Sequence, residues 1–219
     1  MRPGPISGRR IALTIDAEHP DRSRCRPGNC ELLLAHLEEA RVRATFFLQG
    51  RWVTAYPDLA REIGRAGHLV GNHSHYHARM PLFSTAGIEA DVSAAEAAIR
   101  TVVGLDPRPW FRSPFGAGLD DPELELRLGR LGYRNVGWDV DGGDWEAERT
   151  PGQVEDQVVR GVLEGEGDQV VLVHSWPDQT AKELPSILAR IRATGAEFVT
   201  IDELLDGPEL AADLSGPAG

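Results

Sequence analysis

Three of the seven histidines in this 219-residue chain fall within one heptapeptide, Gly71-Asn72-His73-Ser74-His75-Tyr76-His77. His73 and His77 are four apart, and on a helical turn residues at that spacing share one face. Two imidazoles on one face, aimed into a cleft, form half of a site for zinc or a similar divalent ion. Four other short segments hold residues able to do chemistry: Asp16-Ala17-Glu18-His19, Arg112-Ser113-Pro114-Phe115-Gly116, Asp141-Gly142-Gly143-Asp144-Trp145 and Leu172-Val173-His174-Ser175-Trp176. Each has an ordinary reading of its own. A histidine run can lie on a surface, an arginine can serve an ion pair, Asp and Gly dominate turns, and a histidine can sit satisfied in a core.

What raises these segments above their ordinary readings is where they fall. The chain alternates short β-like runs with amphipathic helical runs. Apolar or β-branched runs occur at Ile11–Ile15, Ala44–Leu48, His68–Gly71, Trp110–Arg112, Tyr133–Val140, Gln169–Val173 and Phe198–Ile201. Helices are expected between them. Asn29 is placed to cap one over Glu31–Ala40. Ile88, Val92, Ala95, Ile99 and Val102 repeat at helical spacing, and Thr150-Pro151-Gly152-Gln153 reads as a capping box with proline at the first helical position. Strands alternating with helices argue for a parallel sheet with crossover helices, and about seven repeats suggest a distorted (β/α)7-type barrel with parallel strands. In such barrels functional groups sit just past the C-terminal ends of the strands. All five segments fall there, which delivers them to one rim.

Bulk properties narrow the classes. The length suits one domain, read as an N-terminal extension over 1–10, a catalytic domain over 11–206 and a loose tail over 207–219. A formal net charge of −11 argues against nucleic acid as a partner. No apolar run is long enough to span a membrane, and Met1–Arg10 has no apolar stretch behind its basic residues. The chain as it stands reads as cytoplasmic, or as extracellular if a leader precedes it. Cys25 and Cys30 could close a small disulfide in an oxidising compartment or remain thiols in a reducing one. No protein partner is predictable.

The order and spacing of the five segments resemble the polysaccharide deacetylases of carbohydrate esterase family 4, the NodB-type domain. That family carries T-F-D-D, H-[ST]-x-x-H, R-x-P-x-G, D-x-x-D-W and L-x-H. This chain has Thr14-Ile15-Asp16-Ala17, His73-Ser74-x-x-His77, Arg112-x-Pro114-x-Gly116, Asp141-x-x-Asp144-Trp145 and Leu172-x-His174. The likeness runs from about Ile11 to Ile201. It implies a metal-dependent hydrolase that removes acetyl groups from an N-acetylated amino sugar or polysaccharide. His73 and His77 would hold the metal with one carboxylate, zinc first, with cobalt, nickel or manganese also compatible. Asp16 would take the proton from the attacking water, and Arg112 would orient Asp16. His174 would protonate the leaving amine, with Asp141 orienting it. The Phe115 backbone N–H would steady the oxyanion, and Trp145 and Trp176 would wall the pocket.

The first motif departs from the family. Its second aspartate, the third metal ligand, is replaced here by Ala17. Three readings follow: Glu18 supplies the ligand, Asp16 does so itself, or the metal is lost and the domain only binds carbohydrate. An allantoinase-like hydrolase of a cyclic amide on the same fold is the other enzyme reading. His19 is treated as structural, although it lies close enough to substitute as a ligand.

Overall fold

A computed structural model describes residues 8–22, 25 and 27–205. Eight strands form one parallel sheet: β1 (Arg10–Ala17), β2 (Thr45–Leu48), β3 (Leu69–Asn72), β4 (Trp110–Phe111), β5 (Arg134–Asn135), β6 (Val140–Asp141), β7 (Gln169–His174) and β8 (Glu197–Val199). Their order across the sheet is β5-β4-β3-β2-β1-β7-β6. β7 takes one edge of β1. The other edge is shared, β8 pairing with Arg10–Ala12 and β2 with Thr14–Ala17. The connections are α1 (Gly28–Ala40), α2 (Gly50–Ala55), α3 (Pro57–Arg65), α4 (Thr85–Val102), α5 (Pro122–Arg130), α6 (Pro151–Glu164) and α7 (Asp178–Arg192), with α8 (Ile201–Leu205) last. None of the helices in the described residues is long and apolar enough to cross a membrane.

β1 shows how the sequence builds both layers. Side chains alternate across a strand. Ile11, Leu13, Ile15 and Ala17 pack outward into the main core with Leu33, Leu37, Leu184 and Ile187 of the flanking helices. Ala12 points the other way, into a smaller cluster with Phe47 and Trp110. Thr14 and Asp16 follow it on the inner side and meet Arg112 there. That period puts Asp16 and Glu18 on one face and Ala17 on the opposite one.

The apolar run Tyr133–Val140 is not the single strand its composition suggests. It makes two two-residue strands at opposite edges of the sheet, β5 on β4 and β6 on β7. The intervening segment 136–139 crosses the gap. Val136 N–H donates to Phe111 O at 2.7 Å, and Asp139 N–H to Val170 O at 2.9 Å. The barrel is therefore closed by a stretch of chain rather than by strand pairing. The Arg112 guanidinium fastens that stretch from inside, donating to Val136 O at 3.2 Å and Gly137 O at 3.1 Å.

Helix ends follow their sequence signals in part. The capping box at Thr150 and Gln153 is formed, and Ser84 caps α4 by accepting from Gly87 N–H. Asn29 does not cap α1, which begins after Pro27. Its amide instead donates to Trp176 O at 2.6 Å and Asp178 Oδ1 at 2.8 Å, tying α1 to the loop after β7. Residues 8–10 also belong to the fold rather than to an extension. Gly8 N–H donates to Gly195 O at 3.1 Å and Arg9 to Gly165 O at 2.6 Å. Most of the expected extension and the expected tail lie outside the described residues. No disulfide joins Cys25 and Cys30; burial first, then the neighbouring Glu31, pushes the Cys30 thiol up to about 12.

Candidate active site and metal centre

The strand ends converge as expected. Asp16 stands opposite His174 in the β1–β7 register, and Asn72, just before His73, stands opposite Phe111, just before Arg112. The residues beyond them line a cavity of about 380 Å³. That lies in the range of small-ligand sites.

The histidine loop is not helical. Its two histidines meet because the loop folds back through left-handed residues, Ser74 at φ 63° and His77 at φ 56°. Non-glycine residues seldom adopt that conformation, so the surroundings must impose it. Asn72 Oδ1 accepts from Ser74 N–H at 2.9 Å, and the Ser74 hydroxyl accepts from His77 N–H at 3.0 Å. Buried Asp91, from the apolar face of α4, accepts the N–H groups of His75 at 2.8 Å and Tyr76 at 3.0 Å.

Tautomers follow from these contacts. His73 Nδ1 lies 2.9 Å from Arg112 O, and a carbonyl only accepts, so Nδ1 carries the hydrogen. That leaves Nε2 with its lone pair facing Glu18 Oε2 at 3.3 Å and Asp16 Oδ2 at 3.5 Å. His77 Nε2 also meets Glu18 Oε2. One atom each from Glu18, His73 and His77 lie within 4.8 Å of one another, and all three residues are buried. Two imidazole nitrogens and a carboxylate oxygen match a divalent-metal donor set with positions left open. Burial works to raise the Glu18 carboxyl, but hydrogen bonds from His19, His73 and His77 hold it well below the usual range. Burial works to lower His73, and Asp16 and Glu18 outweigh it and raise it. These carboxylates call for a cation, and a metal can take the proton's place.

Glu18 is held from further sides. Trp176 Nε1–H donates to its Oε1 at 3.3 Å, and His19 Nε2 lies 3.1 Å from the same oxygen. His19, itself left-handed at φ 59°, also packs its ring 4.4 Å from that of His77. It therefore belongs to the site rather than to the general packing.

Asp16 and Arg112 form the second part. Arg112 is fully buried, and its Nη1 donates to Asp16 Oδ1 at 2.9 Å and to the Thr14 hydroxyl at 2.7 Å. The contact is through one nitrogen rather than a two-pronged grip. The remaining guanidinium N–H groups hold the barrel closure.

His174 forms the third part, and here the expectation needs correcting. Its Nδ1 pairs with Asp144 Oδ1 at 2.7 Å, and its backbone N–H donates to Asp144 Oδ2 at 2.7 Å. The Thr180 hydroxyl donates to the same oxygen. Asp141 does not orient His174. It accepts Gly143 N–H at 2.8 Å in a local turn and faces the cavity near Arg112. Gly143, at φ 61°, then swings the chain so that Asp144 passes beneath β7. Burial works to lower His174, but Asp144 foremost, then Glu18 and Asp16, raise it to about 10. His174 Nε2 faces the cavity 3.9 Å from Glu18 Oε1.

Phe115, Trp145 and Trp176 all line the cavity. Phe115 adopts a left-handed conformation, φ 60°, and sets its ring 4.6 Å from His77. Trp145 is half exposed at the mouth, whereas Trp176 is buried.

Sequence reasoning missed Asp144 as the partner of His174, His19 as a member of the site, and Asp91 as the anchor of the histidine loop. A signal existed for the last, because Asp91 interrupts the apolar stripe of α4.

Comparison with known proteins matches this arrangement to a family. The family model described as polysaccharide deacetylase matches residues 4–136, more than half of the chain. The chain is 31% identical over 183 residues to the uncharacterised protein YlxY of Bacillus subtilis, covering 82% of this chain and 54% of that one. It is 33% identical over 202 residues to the peptidoglycan-N-acetylglucosamine deacetylase PgdA of Listeria monocytogenes, covering 92% of this chain and 40% of that one. It thus spans about half or less of these relatives. Among solved structures, a mutant of BA3943 from Bacillus anthracis, a family 4 carbohydrate esterase pseudoenzyme with restored activity, superposes with a TM-score of 0.81. It is 28% identical, with 93% of this chain and 69% of that one covered. The chain belongs to the polysaccharide deacetylase family.

Proposed function

We propose that this chain is a metal-dependent deacetylase that hydrolyses the acetamide of an N-acetylated amino sugar. The observation that carries the reading is the convergence of Glu18, His73 and His77 in one buried cluster between Asp16 and His174. In this reading those three residues hold a divalent ion, zinc first. When bound, such an ion supplies positive charge that polarises an acyl oxygen and acidifies water.

The remaining steps belong to the protein's own groups. Asp16 keeps one oxygen on Arg112 and turns the other toward His73, so it can accept a proton from water beside the cluster. The tetrahedral oxyanion would take the backbone N–H of Phe115. Asp144 takes the Nδ1–H of His174 and, against burial, raises the imidazole to about 10, so the ring is doubly protonated at neutral pH and can deliver its Nε2 proton to the departing amine. Trp176 and Trp145 close around the acetyl group and exclude water.

Zinc-loaded protein is expected to release acetate from N-acetylglucosamine oligosaccharides, and a chelator to abolish that release. Zinc bound without acetate release, together with turnover of a cyclic amide, would move the assignment to the allantoinase-like reading. Ala17 in the first motif and the likeness to a pseudoenzyme favour one further reading, a carbohydrate-binding domain. Sugar binding without either reaction is the result that would establish it.

A further inference from the structure

Two groups beside the metal cluster have no task in the chemistry above, the His19 imidazole and the indole N–H of Trp176. Both meet the same atom. Trp176 Nε1–H donates to Glu18 Oε1 at 3.3 Å, and His19 Nε2 lies 3.1 Å from that oxygen. The other carboxylate oxygen, Oε2, faces His77 Nε2 and, at 3.3 Å, His73 Nε2. The carboxylate is thus divided. One oxygen lies among the two histidines of the cluster, and the other is taken by two nitrogens from outside it. An ionised carboxylate only accepts, so His19 carries its hydrogen on Nε2.

Both donors are anchored. The His19 backbone N–H donates to Gln49 Oε1 at 2.8 Å, and Gln49 Nε2 donates to His75 O at 3.2 Å. One buried glutamine thereby ties the loop after β1 to the histidine loop. Trp176 is buried as well, and its backbone O accepts from the Asn29 amide at 2.6 Å. The altered first motif explains why anchoring is needed. Ala17 faces the helices, and Glu18, on the inner side, reaches the histidines through one more rotatable bond than an aspartate has. A longer side chain loses more rotamer freedom when it is fixed, and a loose carboxylate can swing to bind a metal through both oxygens.

We infer that His19 and Trp176 are positioning residues that hold Glu18 Oε1, so that Glu18 offers a metal Oε2 alone. The inference rests on the metal-centre reading for its setting. A carboxylate bound through both oxygens fills two coordination positions. Glu18 held in this way fills one and leaves the others to water and substrate.

The test measures metal binding by the whole chain. Zinc affinity is read by competition with a chromophoric chelator, and coordination from the visible absorption of the cobalt(II) form. His19→Ala and Trp176→Phe are each expected to weaken zinc binding by about tenfold, the scale of losing a partner that orients a ligand. Trp176→Phe keeps an aromatic ring and removes the N–H. In both variants the cobalt absorption should weaken, because a second carboxylate oxygen raises the coordination number. His19→Gln, whose amide can still donate, should recover most of the affinity. Trp145→Phe, at the cavity mouth, should bind zinc as the wild type does. Affinity and absorption unmoved in both His19→Ala and Trp176→Phe overturn the inference and leave the metal centre standing. A loss in His19→Gln as deep as in His19→Ala overturns it too, and makes His19 a metal ligand. A wild-type chain that binds neither ion removes the metal-centre reading and this inference with it.

Discussion

His77 and His174 face the same cavity and are pushed in opposite directions. Burial, aided by His73 and His19, lowers His77 to about 4 against the pull of Glu18. Asp144, with Glu18 and Asp16, raises His174 to about 10 against burial. The surroundings explain both. His77 sits on a strained loop, and its buried Nδ1 has no hydrogen-bond partner, so a proton gains little there. His174 ends a six-residue strand and has a buried aspartate fixed to both its ring and its backbone. A neutral imidazole with an available lone pair suits a ligand, and a protonated one suits an acid. In the proposed reading the same residue type thus takes two roles from two settings on one cavity.

The contrast can be broken at its acid half. His174→Ala is expected to lower kcat by about 10²–10⁴-fold while zinc content by atomic spectroscopy stays at wild type. Near-wild-type turnover would remove His174 from the acid role. The metal half is tested by Glu18→Ala, expected to weaken zinc binding by at least about a hundredfold, beyond what losing an outer-shell partner costs. Unchanged zinc affinity would hand the third ligand to Asp16.

The two aspartates sharpen the acid half. Asp144→Asn should reduce kcat by about 10–100-fold, and Asp141→Asn only a few-fold. In the proposed mechanism the protonated form of His174 is the working one, so activity should fall as pH rises through its pKa. Removing the Asp144 charge lowers that pKa, so the alkaline limb of kcat should move to lower pH in Asp144→Asn. An unmoved limb would separate Asp144 from the acid.

His68 gives the smallest effect and serves as a control outside the cavity. Burial, then Arg43, lowers it to about 4, while its Nδ1 accepts from Ala44 N–H. A base whose pKa is depressed on folding contributes full stability above its unfolded value, near 6.5, and loses it as pH falls toward 4. Denaturant unfolding should show stability declining by up to about 1.4 kcal/mol per pH unit across that window. The decline should flatten in His68→Gln. No flattening would mean that other groups carry the acid loss.

Much of this molecule could be read before folding. The strand–helix alternation, the capping box at Thr150 and the placement of His73, His77, Arg112 and His174 all rest on local patterns that the structure keeps. The alternation in β1 even carried an unused clue. Ile15 and Ala17 face the helices, so the inward carboxylates had to be Asp16 and Glu18.

What stayed hidden depended on contacts distant in sequence. Asp141 and Asp144 are alike as residues in a glycine turn, and only the path of that turn under β7 decides which one meets His174. Tyr133–Val140 is apolar throughout, as a buried strand is, yet the need to bridge the sheet's two edges breaks it in two. The histidine spacing was right for a shared site but for a different reason, since Asp91, eighteen residues beyond His73, holds a non-helical loop. By itself the sequence determined which residues reach the rim, because strand period and strand ends are local properties. Only the tertiary structure decided which of them touch and what charge each holds, because burial and partnership are properties of the assembled barrel.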